Sequence, residues 1–177
     1  MDKDEISQLA EEMAKKYNPQ GLSPFPFEAI QRDRGDLEFG LVAEDVLGIG
    51  ASGGIMFNKE KSKFLIFVNK DKPLNRQYFT TAHELGHYFL HGDIVKREEA
   101  IIDKESPLDG QRMLYRLDEA ESIKIEFVAN NFAASLIMPE RLVYVVWDKL
   151  RNIEECAKIF RVSVAAMAVR LERLKLV

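Results

Sequence analysis

The chain has 177 residues, 46% of them hydrophobic and 31% charged, and a net charge of −4. That length fits one domain with a substantial core, or one domain with a small appendage, and the slightly acidic balance excludes wholesale nucleic-acid binding through a basic surface. No stretch approaches the roughly 20 apolar residues that span a bilayer, and the single cysteine, Cys156, forms no intrachain disulfide, so a reducing, cytoplasmic setting is the expectation.

From Asp4 to Tyr17, apolar residues recur at helical spacing (Ile6, Leu9, Ala10, Met13, Ala14, Tyr17), which predicts an amphipathic helix with one buried stripe. The segment NPQGLSPFPF then breaks it, since prolines and glycine do not continue a helix, and a short helix from Phe27 to Gln31 follows. Between Asp36 and Lys70 the pattern changes. DLEFGLVA, IGASGGIMF and KFLIFVNK read as strands of a small, mainly antiparallel sheet, with NKEKS as a hairpin turn between the second and third. The edge of such a sheet offers pairing to an extended peptide.

Arg76 to His91 is predicted as the next helix and carries TTAHELGHYFLH. Histidines four residues apart project from one helix face about one turn apart, so the imidazoles of His83 and His87 can reach a single tetrahedral ion. Glu84 sits about 100° around from the first histidine, beside an ion and not on it, where a carboxylate can take a proton from an attacking water. The same pattern occurs on ordinary helices without metal. Here two features favour chemistry: all three histidines fall within nine residues, and Gly86 weakens the helix in a place that close approach of another element would explain.

A catalytic zinc site uses a third protein ligand and keeps one position open. Candidates are His91, Asp93, Glu119, Glu121 and Glu126. His91 lies eight residues past His83, about 80° off the shared face, and is expected at the pocket rim or in a supporting role. A long polar segment from Gly92 to Ser122 reads as a loop of binding or mobile type. The second long helix is predicted from about Asp118 to Ile137, stopped by Pro139. On it, Glu126 and Asn130 share a face, which offers a carboxylate ligand and an amide able to orient a ligating imidazole. Oxyanion or pocket donors could come from Tyr78, His91, Tyr115, Arg112 or Arg116.

Residues 140–177 are predicted to be helical, and NIEECAKIFRVSVAAMAVRLERLKLV has the pattern of a helix-turn-helix unit. The +3 charge of residues 140–177, with Arg161, Arg170, Arg173 and Lys175, would suit phosphates, although basic residues near helix C-termini equally complement the helix dipole. DNA contact is the weaker reading, and a docking or scaffold role the stronger.

TTAHELGHYFLH followed by EFVANNFAASLIMP resembles the ImmA/IrrE family of metallopeptidases over roughly residues 24–139. The resemblance implies a zincin-like fold, so the expected architecture is an α+β, zincin-like core (1–139) with the helix-turn-helix-like helical appendage (140–177) packed on it. It implies His83, His87 and Glu126 as ligands of Zn2+, Glu84 as general base, and a site-specific endopeptidase whose substrate is a helix-turn-helix transcriptional repressor. The chain departs from the family's compact pattern in the 38 residues between His87 and Glu126. Mn2+ also suits two imidazoles and a carboxylate. A catalytically silent module that binds a repressor or DNA is the alternative.

Overall fold

The computed structural model describes residues 2–48, 50–104 and 119–177. Tyr115, Arg112 and Arg116 lie outside the described residues, as do residues 105–118 of the polar segment as a whole.

Helix α1 (Lys3–Tyr17) forms as its periodicity predicts, and a capping box starts it: Asp2 accepts from the Asp4 and Glu5 N–H groups, while Glu5 accepts from the Asp2 N–H. Its stripe of Ile6, Ala10, Met13, Ala14 and Tyr17 is buried. A short helix α2 (Phe27–Asp33) leads to strand β1 (Leu37–Val42). After helix α3 (Glu44–Leu47), strands β2 (Ala51–Asn58) and β3 (Lys63–Asn69) form the expected hairpin. Asn58 Oδ1 closes its turn by accepting from the Lys61 N–H, with Ser62 in the left-handed region. Helices α4 (Leu74–Leu90) and α5 (Gly92–Glu98), strand β4 (Ala100–Lys104) and helix α6 (Glu119–Ile137) complete the part that carries the site.

The sheet order is β1-β3-β2-β4. Both pairings of β2 are antiparallel, as expected, whereas β1 runs parallel to β3. Two elements within the segment read as loop, α5 and β4, correct that reading. Short apolar runs suffice for them once they have a surface to cover: Val95 and Ile101 are buried, and β4 adds its backbone to the free edge of β2.

Helix α4 lies across β2 and β3, and the glycines of β2 make this close. A Cβ on Gly53 would fall 2.6 Å from Thr80 Cγ2 and 2.7 Å from the Phe67 carbonyl oxygen, so a side chain there would push helix and sheet apart. On the far side of α4 lies α6, which in turn packs on α1. Helix α6 is therefore covered on several sides: Ile125, Ala129, Phe132, Ala133, Leu136 and Ile137 form one apolar stripe about 140° wide, and the buried Asn131 and Ser135 lie outside it.

Pro139 stops α6. Helices α7 (Glu140–Leu150), α8 (Ile153–Phe160) and α9 (Val164–Arg173) follow, with Arg161 in the left-handed region at the end of α8 and Ser163 capping α9 through the Ala166 N–H. One of the four basic residues suited to phosphates is buried, and a second is engaged by a side chain of α6. Arg170 is 7% exposed and donates to the Met138 carbonyl (3.0 Å), Ser135 Oγ (3.3 Å) and the Glu11 carboxylate (3.3 Å). Arg173 donates to Asn131 Oδ1. The two fasten α9 to α6 and α1, and Arg161, Arg173 and Lys175 of the four are exposed.

Candidate metal centre

Two helices make the site. On α4, His83 and His87 stand one turn apart and both are fully buried. Their Nε2 atoms are 3.0 Å from each other. From α6, the Glu126 carboxylate meets both: Oε1 is 3.1 Å from His87 Nε2 and Oε2 is 3.3 Å from His83 Nε2. The approach of the helices that brings these atoms together runs through Gly86. A Cβ on that residue would lie 3.0 Å from Ala129 Cα and 3.2 Å from its carbonyl oxygen. Ala129 is three residues past Glu126 and next to Asn130, so the contact that needs a glycine sits within one turn of the carboxylate.

The donor set fits a divalent cation on two grounds. The Nε2 and carboxylate oxygen atoms of His83, His87 and Glu126 all lie within 4.8 Å of one another. Zinc held at about 2.0–2.1 Å by tetrahedral ligands separates them by roughly 3.3 Å, and the three distances here are within a few tenths of an ångström of that. Protonation gives the second ground. His83 Nδ1 is 3.2 Å from Asn130 Oδ1, and an amide oxygen only accepts, so the proton of the His83 ring sits on Nδ1 and its Nε2 lone pair faces the cluster. Burial pushes the Glu126 carboxyl up, but hydrogen bonds and charge from His83 and His87 outweigh it and hold the group well below the usual carboxylate range. That depression needs imidazole protons or charge facing Glu126, and a cation bound by the Nε2 lone pairs would take over the same role towards the carboxylate in this buried space.

Glu84 is fully buried on the same helix. His91 follows one turn after His87, with its Nδ1 3.0 Å from His87 Nδ1. That puts it against the His87 ring on the side of Nδ1, opposite the Nε2 atoms. Burial first, and then His87, push its pKa down to about 3. Tyr78 lies on the same helix. It precedes His83 by five residues, about 140° around the helix; its hydroxyl accepts from the Phe25 N–H at 2.6 Å, and its ring packs on Phe27.

The other carboxylate candidates stay apart from the cluster. Asp93 is exposed in the first turn of α5, and Glu121 reaches 4.0 Å from the Arg97 guanidinium. The side chain of Glu119 lies outside the described residues. Residues that sequence reasoning passed over include Thr80, buried against Gly53, and Arg170, which clamps the end of α6. A signal for Arg170 was present: it falls between Met167 and Leu171 on the buried stripe of its helix.

Comparisons with known proteins agree with this geometry. The family model of the IrrE N-terminal-like domain, a peptidase family, matches residues 47–172. The radiation response metalloprotease IrrE of Deinococcus radiodurans is 30% identical over 106 residues, covering 58% of this chain and 29% of that protein. The metallopeptidase ImmA of Bacillus subtilis is 30% identical over 93 residues, covering 52% of this chain and 45% of that protein. The chain thus spans less than half the length of either relative. A solved structure named as a Mycobacterium tuberculosis transcriptional regulator superposes with a TM-score of 0.60 at 19% identity, over 94% of this chain and 46% of that one, a likeness of fold. No helix among the described residues is long and apolar enough to cross a membrane. With the family model matched across both site helices, the chain belongs to the ImmA/IrrE family of metallopeptidases.

Proposed function

We propose that the chain is a zinc-dependent, site-specific endopeptidase with a zincin-like core (1–139), and that its substrate is a helix-turn-helix transcriptional repressor whose cleavage relieves repression. The observation that carries the chemistry is the convergence of His83 Nε2, His87 Nε2 and the Glu126 carboxylate, with the carboxylate of Glu84 one residue from the first imidazole. The relatives' names, a metalloprotease and a metallopeptidase, support the reaction type, and the substrate class is what the resemblance to the family implies; residues 140–177, a helical appendage fastened by Arg170 and Arg173, would support docking more readily than DNA contact.

His83, His87 and Glu126 would hold the ion, and Asn130 would keep His83 in the tautomer that presents Nε2. A bound Zn2+ supplies Lewis acidity and brings the pKa of water from 15.7 to about 7. Glu84 would accept the proton of the attacking water on its carboxylate and deliver it to the leaving amine nitrogen, as general base and then general acid. Burial of Glu84 strengthens every charge interaction around the reacting carbonyl.

The test is cleavage of a helix-turn-helix repressor encoded beside this chain, by the native protein and by Glu84→Gln. Loss of cleavage with retention of the metal supports the reading. Full cleavage by Glu84→Gln would remove Glu84 from the mechanism, and tight, salt-sensitive DNA binding without cleavage would favour the silent regulatory module.

A further inference from the structure

The rings of His83, His87 and His91 form a ladder along α4, with centroids 4.7 Å and 5.1 Å apart. The first ring is oriented by an amide, Asn130. Among the described residues, the second has no amide or carboxylate against its Nδ1. It faces another imidazole at 3.0 Å, in a buried environment. Ligating histidines usually give this hydrogen bond to a carboxylate, a carbonyl or water, so the partner here is of an uncommon kind.

We propose that His91 is the positioning residue for His87: it accepts the Nδ1 proton of His87 and thereby directs the His87 Nε2 lone pair at the metal. The inference rests on the reading of His83, His87 and Glu126 as ligands. Two polarities are open to a pair of facing Nδ1 atoms. If His91 donates, His87 carries its proton on Nε2, where it is spent on Glu126 Oε1 at 3.1 Å, and the ring offers no lone pair to a cation. If His87 donates, its Nε2 is free to ligate, and His91 carries its own proton on Nε2. Only the second polarity is compatible with a loaded site.

The backbone supports the same role. His91 ends α4 with φ −128° and ψ 19°, and its N–H donates to the His87 carbonyl at 2.9 Å. Its carbonyl in turn accepts from the Val95 N–H in α5. His91 is thus held at both ends of its peptide unit while its ring meets that of His87. A side chain anchored in this way orients its neighbour without large loss of freedom on binding.

The experiment compares His91→Leu, which removes the acceptor, with His91→Asn, whose Oδ1 falls near the position of the imidazole Nδ1. Zinc affinity is measured by competition with a chelator at neutral pH, and folding of the apo forms by urea titration. His91→Leu is expected to bind Zn2+ about 10–100-fold more weakly, and His91→Asn to recover most of that loss. In the native, zinc-loaded protein, nitrogen NMR should find the His87 proton on Nδ1. Zinc affinity of His91→Leu equal to native would overturn the assignment while leaving the ligand set intact, whereas a His87 proton on Nε2 in the loaded state would overturn both the assignment and His87 as a ligand through Nε2. Absence of zinc binding by the native protein would overturn both.

Discussion

Replacement of Gly86 by alanine isolates the contact on which the site depends. A Cβ there meets the Ala129 backbone at 3.0 Å (Cα) and 3.2 Å (O), and comfortable carbon contacts begin near 3.5 Å. A helix backbone cannot rotate away as a side chain does, so α6 must retreat by about 0.5 Å relative to α4. Ligand distances tolerate about 0.2 Å, and Glu126 lies within a turn of the contact. Two opposing effects act on stability: alanine improves helix propensity by about 1 kcal/mol, and overpacking costs about 1–3 kcal/mol. The net change in folding is a loss of about 0–2 kcal/mol, whereas zinc affinity falls about tenfold or more. Urea unfolding of the apo protein and chelator competition for zinc measure the two separately. A Gly86→Ala protein that is stabilised by about 1 kcal/mol and binds zinc as tightly as native would refute the reasoning, because the helices would then have room to spare.

Other outcomes follow from the same structure. Asn130→Ala removes the acceptor for His83 Nδ1, and zinc affinity by chelator competition should fall about 10–100-fold. Arg170→Ala leaves the Met138 carbonyl, Ser135 and Glu11 without their shared donor, so urea unfolding should show a loss of about 3–5 kcal/mol, while Arg161→Ala, exposed, stays within about 0.5 kcal/mol. Phe132→Ala, in a fully buried position, should lose about 3–5 kcal/mol in the same assay. Burial pushes the Tyr78 hydroxyl up to about 12 against an ordinary value of 10.0. The folded state therefore holds a proton that the unfolded state releases, and stability should decline from pH 10 towards 12, by at most about 2–3 kcal/mol. Tyr78→Phe should flatten that decline in a pH series of urea titrations.

How much of this was legible before any coordinates depends on the kind of signal. His83 and His87 could be paired because i,i+4 spacing on a helix fixes geometry without knowledge of the rest of the chain. Glu126 and Asn130 could be grouped for the same reason, and the unexplained Gly86 pointed to a close neighbour, which the structure supplies as Ala129. Direction within the site was not legible. His91 sits about 80° from His83 by helical arithmetic, yet the relevant relation is to His87, one turn away, and whether its ring turns outward or back on His87 depends on how α4 ends. Strands β1 and β3 were readable from their β-branched and aromatic residues, but their parallel pairing is a long-range choice that local pattern does not encode. Helix α5 and strand β4 were missed because each is short and draws its stability from the surface it covers. Charge counting misled at Arg170, where position on a buried stripe outweighs residue type.

The central claim is that TTAHELGHYFLH is half of a metal centre whose other half is Glu126. Metal content and zinc affinity of native protein, Glu84→Gln, His83→Ala and Glu126→Ala test it most directly, by elemental analysis after gel filtration and by chelator competition. The account predicts one zinc per chain in the native protein and in Glu84→Gln, and loss of tight binding in His83→Ala and Glu126→Ala. Native affinity in a folded Glu126→Ala protein would contradict it.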